Sequence, residues 1–97
     1  MKNIKTIERL SKKYSLSSAD FIKIGSTLAI REKKRELQME KLEILARYTT
    51  KNIDELKMKI EEGTLPEHPA WEDYIELKNI EADIDELDSD ISALQEA

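Results

Sequence analysis

Few residues in this chain could do chemistry, and their spacing narrows what remains. There is one histidine, His68, and no cysteine. Zinc sites built on cysteines or paired histidines, thiol nucleophiles and disulfides all need more than that. His68 is expected to act locally, near the cap of a helix opened by Pro69. Asp83, Asp85, Asp88 and Asp90 lie close together, but the glycine and spaced final glutamate of a calcium loop are missing. They read as a solvated acidic face. Gly25 and Gly63 are isolated and form no phosphate-cradling loop. No catalytic residue, metal ligand or cofactor site is expected, and the chain is not expected to be an enzyme.

Charge is distributed unevenly instead. Residues 1–35 hold ten Lys/Arg against three Asp/Glu, and residues 36–97 hold six against eighteen. Such a split implies two different partners, or two halves that pair with each other. With 39% apolar and 38% charged residues in 97, the buried fraction must be modest. The core is therefore expected to be thin, or shared with a partner. No segment approaches the roughly 18 apolar residues of a membrane span, and MKNIKTIERL lacks the apolar run of a signal peptide. A cytoplasmic location without membrane contact is the expectation.

Two glycines, two prolines and runs of Leu, Glu, Lys and Ile predict an elongated all-α chain. Ile4, Ile7, Leu10 and Tyr14 repeat at helical spacing and predict a short basic helix. Ser15 to Ser18 interrupt it, and Ser17 or Ser18 can cap a second helix running to Tyr48. That helix carries apolar groups at Phe21–Ile30 and Leu37–Leu45, separated by six charges from Arg31 to Glu36. The charged middle reads as a solvated spacer or an anion site. Asn52 with Glu55 predicts a third, short helix closed by Gly63. Residues 1–48 thus form a basic helical pair with a long helix, and 49–97 a short helix followed by an acidic amphipathic one.

The acidic helix carries an unbroken seven-residue repeat at Leu77, Ile80, Ile84, Leu87, Ile91 and Leu94. This is the narrow seam of a helix that buries against one other helix. With Leu77, Ile84 and Ile91 at a, the g row is Glu76, Asp83, Asp90 and the e row Glu81, Asp88, Gln95. A parallel copy would set like charges together, so the seam calls for a basic or neutral partner. Trp71 and Tyr74 precede it and read equally as core or interface anchors. The late aspartates and serines are poor helix formers, which points to ordering on a partner.

Leu10, Tyr14, Leu16, Phe21 and Ile24 match the apolar spacing of a helix-turn-helix. Leu16, Ser17, Asp20, Phe21 and Ile22 also resemble the L-S-x-x-(E/D)-(F/L)-I pattern that opens the second helix of ribbon-helix-helix proteins. That family reads bases with a strand before its first helix, and this sequence has at most six residues for it, MKNIKT. Residues 44–87, ILARYTTKNIDELKMKIEEGTLPEHPAWEDYIELKNIEADIDEL, are similar to the C-terminal region of small prokaryotic antitoxins of type II toxin–antitoxin systems. The resemblance implies a homodimer whose N-terminal helical pair binds operator DNA and whose C-terminal helical segment wraps a toxin with a basic surface.

On that resemblance the toxin contact falls to Trp71, Tyr74, Leu77, Ile80, Ile84, Leu87, Ile91 and Leu94. The duplex DNA contact falls to Lys2, Lys5, Arg9, Lys12, Lys13 and Ser17. The alternative is a structural or adaptor coiled-coil protein whose basic and acidic halves pair in cis or between copies.

Overall fold

The structure is a computed structural model and describes residues 2–97, without the Lys2 side chain. The described residues form four helices and no strand: α1 (Lys2–Lys13), α2 (Ser18–Arg47), α3 (Ile53–Glu61) and α4 (Glu67–Glu96). The all-α expectation holds, and at 60 × 22 × 21 Å the molecule is elongated. Helix α2 continues through Arg31–Glu36 without interruption.

Local chemistry accounts for the helix starts. Ser17 and Asn52 are extended N-caps whose side-chain oxygens accept from Asp20 N–H at 3.0 Å and Glu55 N–H at 2.8 Å. At the head of α4, His68 is non-helical (φ −114°, ψ 131°), so continuous helix begins at Pro69. The ends of α1, α2 and α3 share one device: the residue after the cap turns left-handed, and the next N–H bonds back five residues. Leu16 N–H donates to Ser11 O at 2.8 Å, Thr50 N–H to Leu45 O at 3.0 Å and Thr64 N–H to Lys59 O at 3.0 Å. Gly63 takes the left-handed position at φ +76°, but Ser15 (φ +60°) and Thr49 (φ +53°) occupy the other two.

Helices α2 and α4 lie antiparallel along most of their length. The register is marked by Lys34–Asp88, Lys41–Glu81 and Arg47–Asp73, residues rising on one helix and falling on the other. Helix α3 packs on α4, and α1 touches α2. Leu37, Ile44 and Leu45 of α2, Leu56 and Ile60 of α3, and Ala70, Leu77 and Ile80 of α4 form one core. It draws on both the 1–48 and the 49–97 segment, so the two are joined by a common apolar centre. No helix is long and apolar enough to cross a membrane.

Candidate interaction surfaces

The acidic seam of α4 is occupied by this chain's own α2. Leu77 and Ile80 are buried, Ile84 and Leu87 pack against the core, and Ile91 and Leu94 are half-buried. A partner reaches Leu77 and Ile80 only if the hairpin opens, whereas the other four keep part of their surface open in the closed form. Trp71 stands outside the seam, exposed, with its ring stacked on Tyr74 at 5.2 Å between centroids. Tyr74 is half-buried against the core, with the Lys78 ammonium over its ring at 5.8 Å. Beside Trp71 a groove of about 310 Å³ runs between the end of α3 and the start of α4, lined by Ile60, Glu61, Glu67, His68 and Trp71. His68 is paired with Glu72 one turn on, at 2.5 Å, and the head of α4 has no side-chain capping bond, so its local contact is a side-chain pair and not the expected cap.

The two acidic rows that flank the seam have different fates. In the e row, Glu81 takes Lys41 at 3.1 Å and Asp88 takes Lys34 at 2.6 Å, one heptad apart. In the g row, Glu76, Asp83 and Asp90 have no ion pair among the described residues. A groove of about 310 Å³ runs beside that row, with Leu37 and Leu87 on its floor and Asp83, Glu86, Asp90 and Lys33 at its edge.

Sequence reasoning missed the α2 cations that close the hairpin, although a signal existed: Lys34 and Lys41 are seven apart, like Asp88 and Glu81. It also missed Lys23, whose ammonium donates to Gln95 O at 3.2 Å and Ala97 O at 3.5 Å. Helix α4 has no basic residue in its last turn, and Lys23 supplies the positive charge its C-terminal dipole favours. A third unforeseen contact joins the end of α2 to the start of α4. The Tyr48 hydroxyl donates to the Asp73 carboxylate, which Arg47 also approaches at 3.6 Å. Burial first, then the hydrogen bond to Asp73, pushes the Tyr48 phenol up to about 12.

In the N-terminal half, Lys5, Arg9, Lys12 and Lys13 are exposed, and Lys13 lies over the Tyr14 ring at 5.7 Å. Lys5, Arg9 and Lys12 follow one face of α1 by helical spacing, while Ile4, Ile7, Ser11 and Tyr14 follow the opposite face. Ser11 is buried, its hydroxyl donating to Glu8 O at 2.9 Å. Ser17 is committed to its capping bond, and the Lys2 side chain lies outside the described residues. Because α1 begins at Lys2, the described residues hold no strand of the kind that reads bases in ribbon-helix-helix proteins. Among them, no group of three or more His, Cys, Asp or Glu could hold a metal ion.

A family model matches the chain across residues 1–97, under the description Uncharacterized protein MJ0235 family. The chain belongs to that family. No curated protein and no solved structure matches it. For this family member the surfaces open to a partner without rearrangement include the basic face of α1, the g row of α4 with its groove, and the exposed ring of Trp71.

Proposed function

We propose that the chain is a non-catalytic binding protein, an adaptor built on a helical hairpin that closes on itself and presents charged faces at its surface. The observation that supports this reading is the pairing of the acidic e row with Lys34 and Lys41 of the same chain. The seam that would otherwise need a foreign helix is already filled, which leaves the outer faces for recognition. The deciding experiment is far-ultraviolet circular dichroism and thermal melting of the full chain by itself. A self-closed hairpin is strongly helical and unfolds in one cooperative transition. A chain that is largely unstructured alone, and becomes helical only on a partner, would end the adaptor reading.

A second reading, the antitoxin-like one, is favoured by Trp71. It lies in the segment similar to antitoxins, exposed beside a groove edged by Glu61 and Glu67, and so offers an apolar anchor to a toxin with a basic surface while the hairpin stays shut. In that reading the exposed cations of α1 contact operator DNA through phosphates, with affinity falling steeply as salt rises. Titration of the full protein with duplex DNA at low salt tests it. Absence of binding there removes the nucleic-acid half of this reading and leaves the adaptor intact.

A further inference from the structure

We infer that the open acidic row of α4 is a docking surface for α1 of a second copy of this chain, and that the exchange is reciprocal. The inference rests on the adaptor reading above, because the row is a surface only while the hairpin is closed. Three observations carry it. The first is the contrast between the rows: Glu81 and Asp88 are neutralised within the chain, whereas Asp83, Glu86 and Asp90 have no ion pair among the described residues. The second is that Lys5, Arg9 and Lys12 of α1 likewise have none, so complementary charges coexist in one chain without meeting in cis.

The third is register. Lys5, Arg9 and Lys12 are spaced four and three, and Asp90, Glu86 and Asp83, read backwards, are spaced four and three as well. Antiparallel alignment therefore sets Lys5 on Asp90, Arg9 on Glu86 and Lys12 on Asp83 without a mismatch. In the parallel alignment Lys5 on Asp83 and Lys12 on Asp90 also coincide, but Arg9 falls one residue away from Glu86, so the match favours the antiparallel orientation by one pair. The groove next to the row adds a small apolar component, with Leu37 and Leu87 on its floor, against which the aliphatic stems of the incoming lysines can lie. A two-fold arrangement repeats both contacts, since each copy is donor and acceptor. Exposed ion pairs are individually weak, so the dimer is reversible and salt-sensitive.

The test is sedimentation of the full chain with a charge exchange. One variant carries Lys5→Glu, Arg9→Glu and Lys12→Glu; the other carries Asp83→Lys, Glu86→Lys and Asp90→Lys. Each sets like charges against like in its own homodimer, but when the two are mixed both contacts become attractive. The native chain is expected to self-associate at about 0.1 M salt and to dissociate at about 1 M, where the screening length falls from about 10 to about 3 Å. Each variant alone is expected to associate at least about tenfold more weakly, and the equimolar mixture to regain a heterodimer.

A native chain that stays monomeric at low salt and high concentration overturns the inference, as do variants that dimerise like the native chain or a mixture that stays monomeric. Circular dichroism of the same samples separates this failure from failure of the adaptor reading, which concerns helix content and not mass. The single exchange Arg9→Glu with Glu86→Arg should follow the same pattern at smaller amplitude, and it decides the matter if a triple variant loses helix.

Discussion

At one end of the molecule α3 lies against the hairpin, and Leu56, Ala70 and Leu77 are 0% exposed. At the other end α2 and the last turns of α4 meet with no third helix over them; Ile91 and Leu94 are half-buried, and Ile24 and Leu28 are 47% and 60% exposed. The same kind of helix pair thus gives a core at one end and only a seam at the other. Two helices can shield one narrow stripe each, and a third is needed to enclose side chains on all sides. Stability is accordingly concentrated at the α3 end, although both ends expose large apolar side chains, Ile22, Ile24 and Leu28 at one and Met58, Trp71 and Ile75 at the other.

The largest expected difference between the ends comes from truncating the seam. Leu77→Ala should cost about 3 kcal/mol in urea unfolding, and Ile91→Ala, already half in solvent, about 1 kcal/mol. Equal costs would mean that the two ends are equally packed and the contrast is false.

Next comes the Tyr48–Asp73 contact, which ties α2 to α4 at the closed end. Tyr48→Phe should cost about 1.5 kcal/mol, since it leaves a part-buried carboxylate without its donor. The contact also gives a pH signature. The phenol ionises near 10 in an unfolded chain and at about 12 in the fold. Between those values the folded state holds the proton that the unfolded state has released. The contribution is therefore complete below about pH 10 and lost as pH rises toward 12. Stability measured across that window should fall in the native chain, and Tyr48→Phe should remove that component of the fall.

Smaller again is the ladder that closes the open end. Lys34→Met with Lys41→Met should lower stability by about 1 kcal/mol at low salt, because the pairs are partly exposed, and by less at about 1 M salt. A loss that salt leaves unchanged would show that the lysine stems, packed along the hairpin, matter more than their charges. The smallest effect sharpens the closed end: Thr49→Gly should stabilise by about 0.5 kcal/mol, because a β-branched residue occupies a left-handed position there. A thermal melt that shifts downward would contradict it.

Much of the chain was legible wherever the physics is local. Asn52 with Glu55, Gly63 and Pro69 mark helix ends because caps and φ restrictions act over three or four residues. The ends at Ser15 and Thr49 were harder to read as left-handed turns, because neither is glycine and the chain reversal around them imposes the conformation. The heptad of α4 announced a helical neighbour, but the expectation of a single one was too narrow, because α3 joins α2 against the start of the seam at Leu77 and Ile80. In α2 the apolar residues lie on two sides, Leu37, Ile44 and Leu45 inward and Ile24, Leu28, Met39 and Leu42 outward, so its periodicity did not reveal which face would receive α4.

By itself, then, the sequence determined that the chain is helical, where its helices start, that α4 carries one narrow seam and that its flanks are acidic. These follow from short-range propensities and from the helical repeat, which any chain with these residues obeys. Only the tertiary structure decided that the seam closes on α2 of the same chain, and that Lys34 and Lys41 neutralise one acidic row and leave the other open. A heptad specifies that a helix needs a neighbour but not which one. That choice depends on the reversal through α3, which brings α2 and α4 antiparallel and in register, a relation between residues about fifty positions apart that no local pattern encodes.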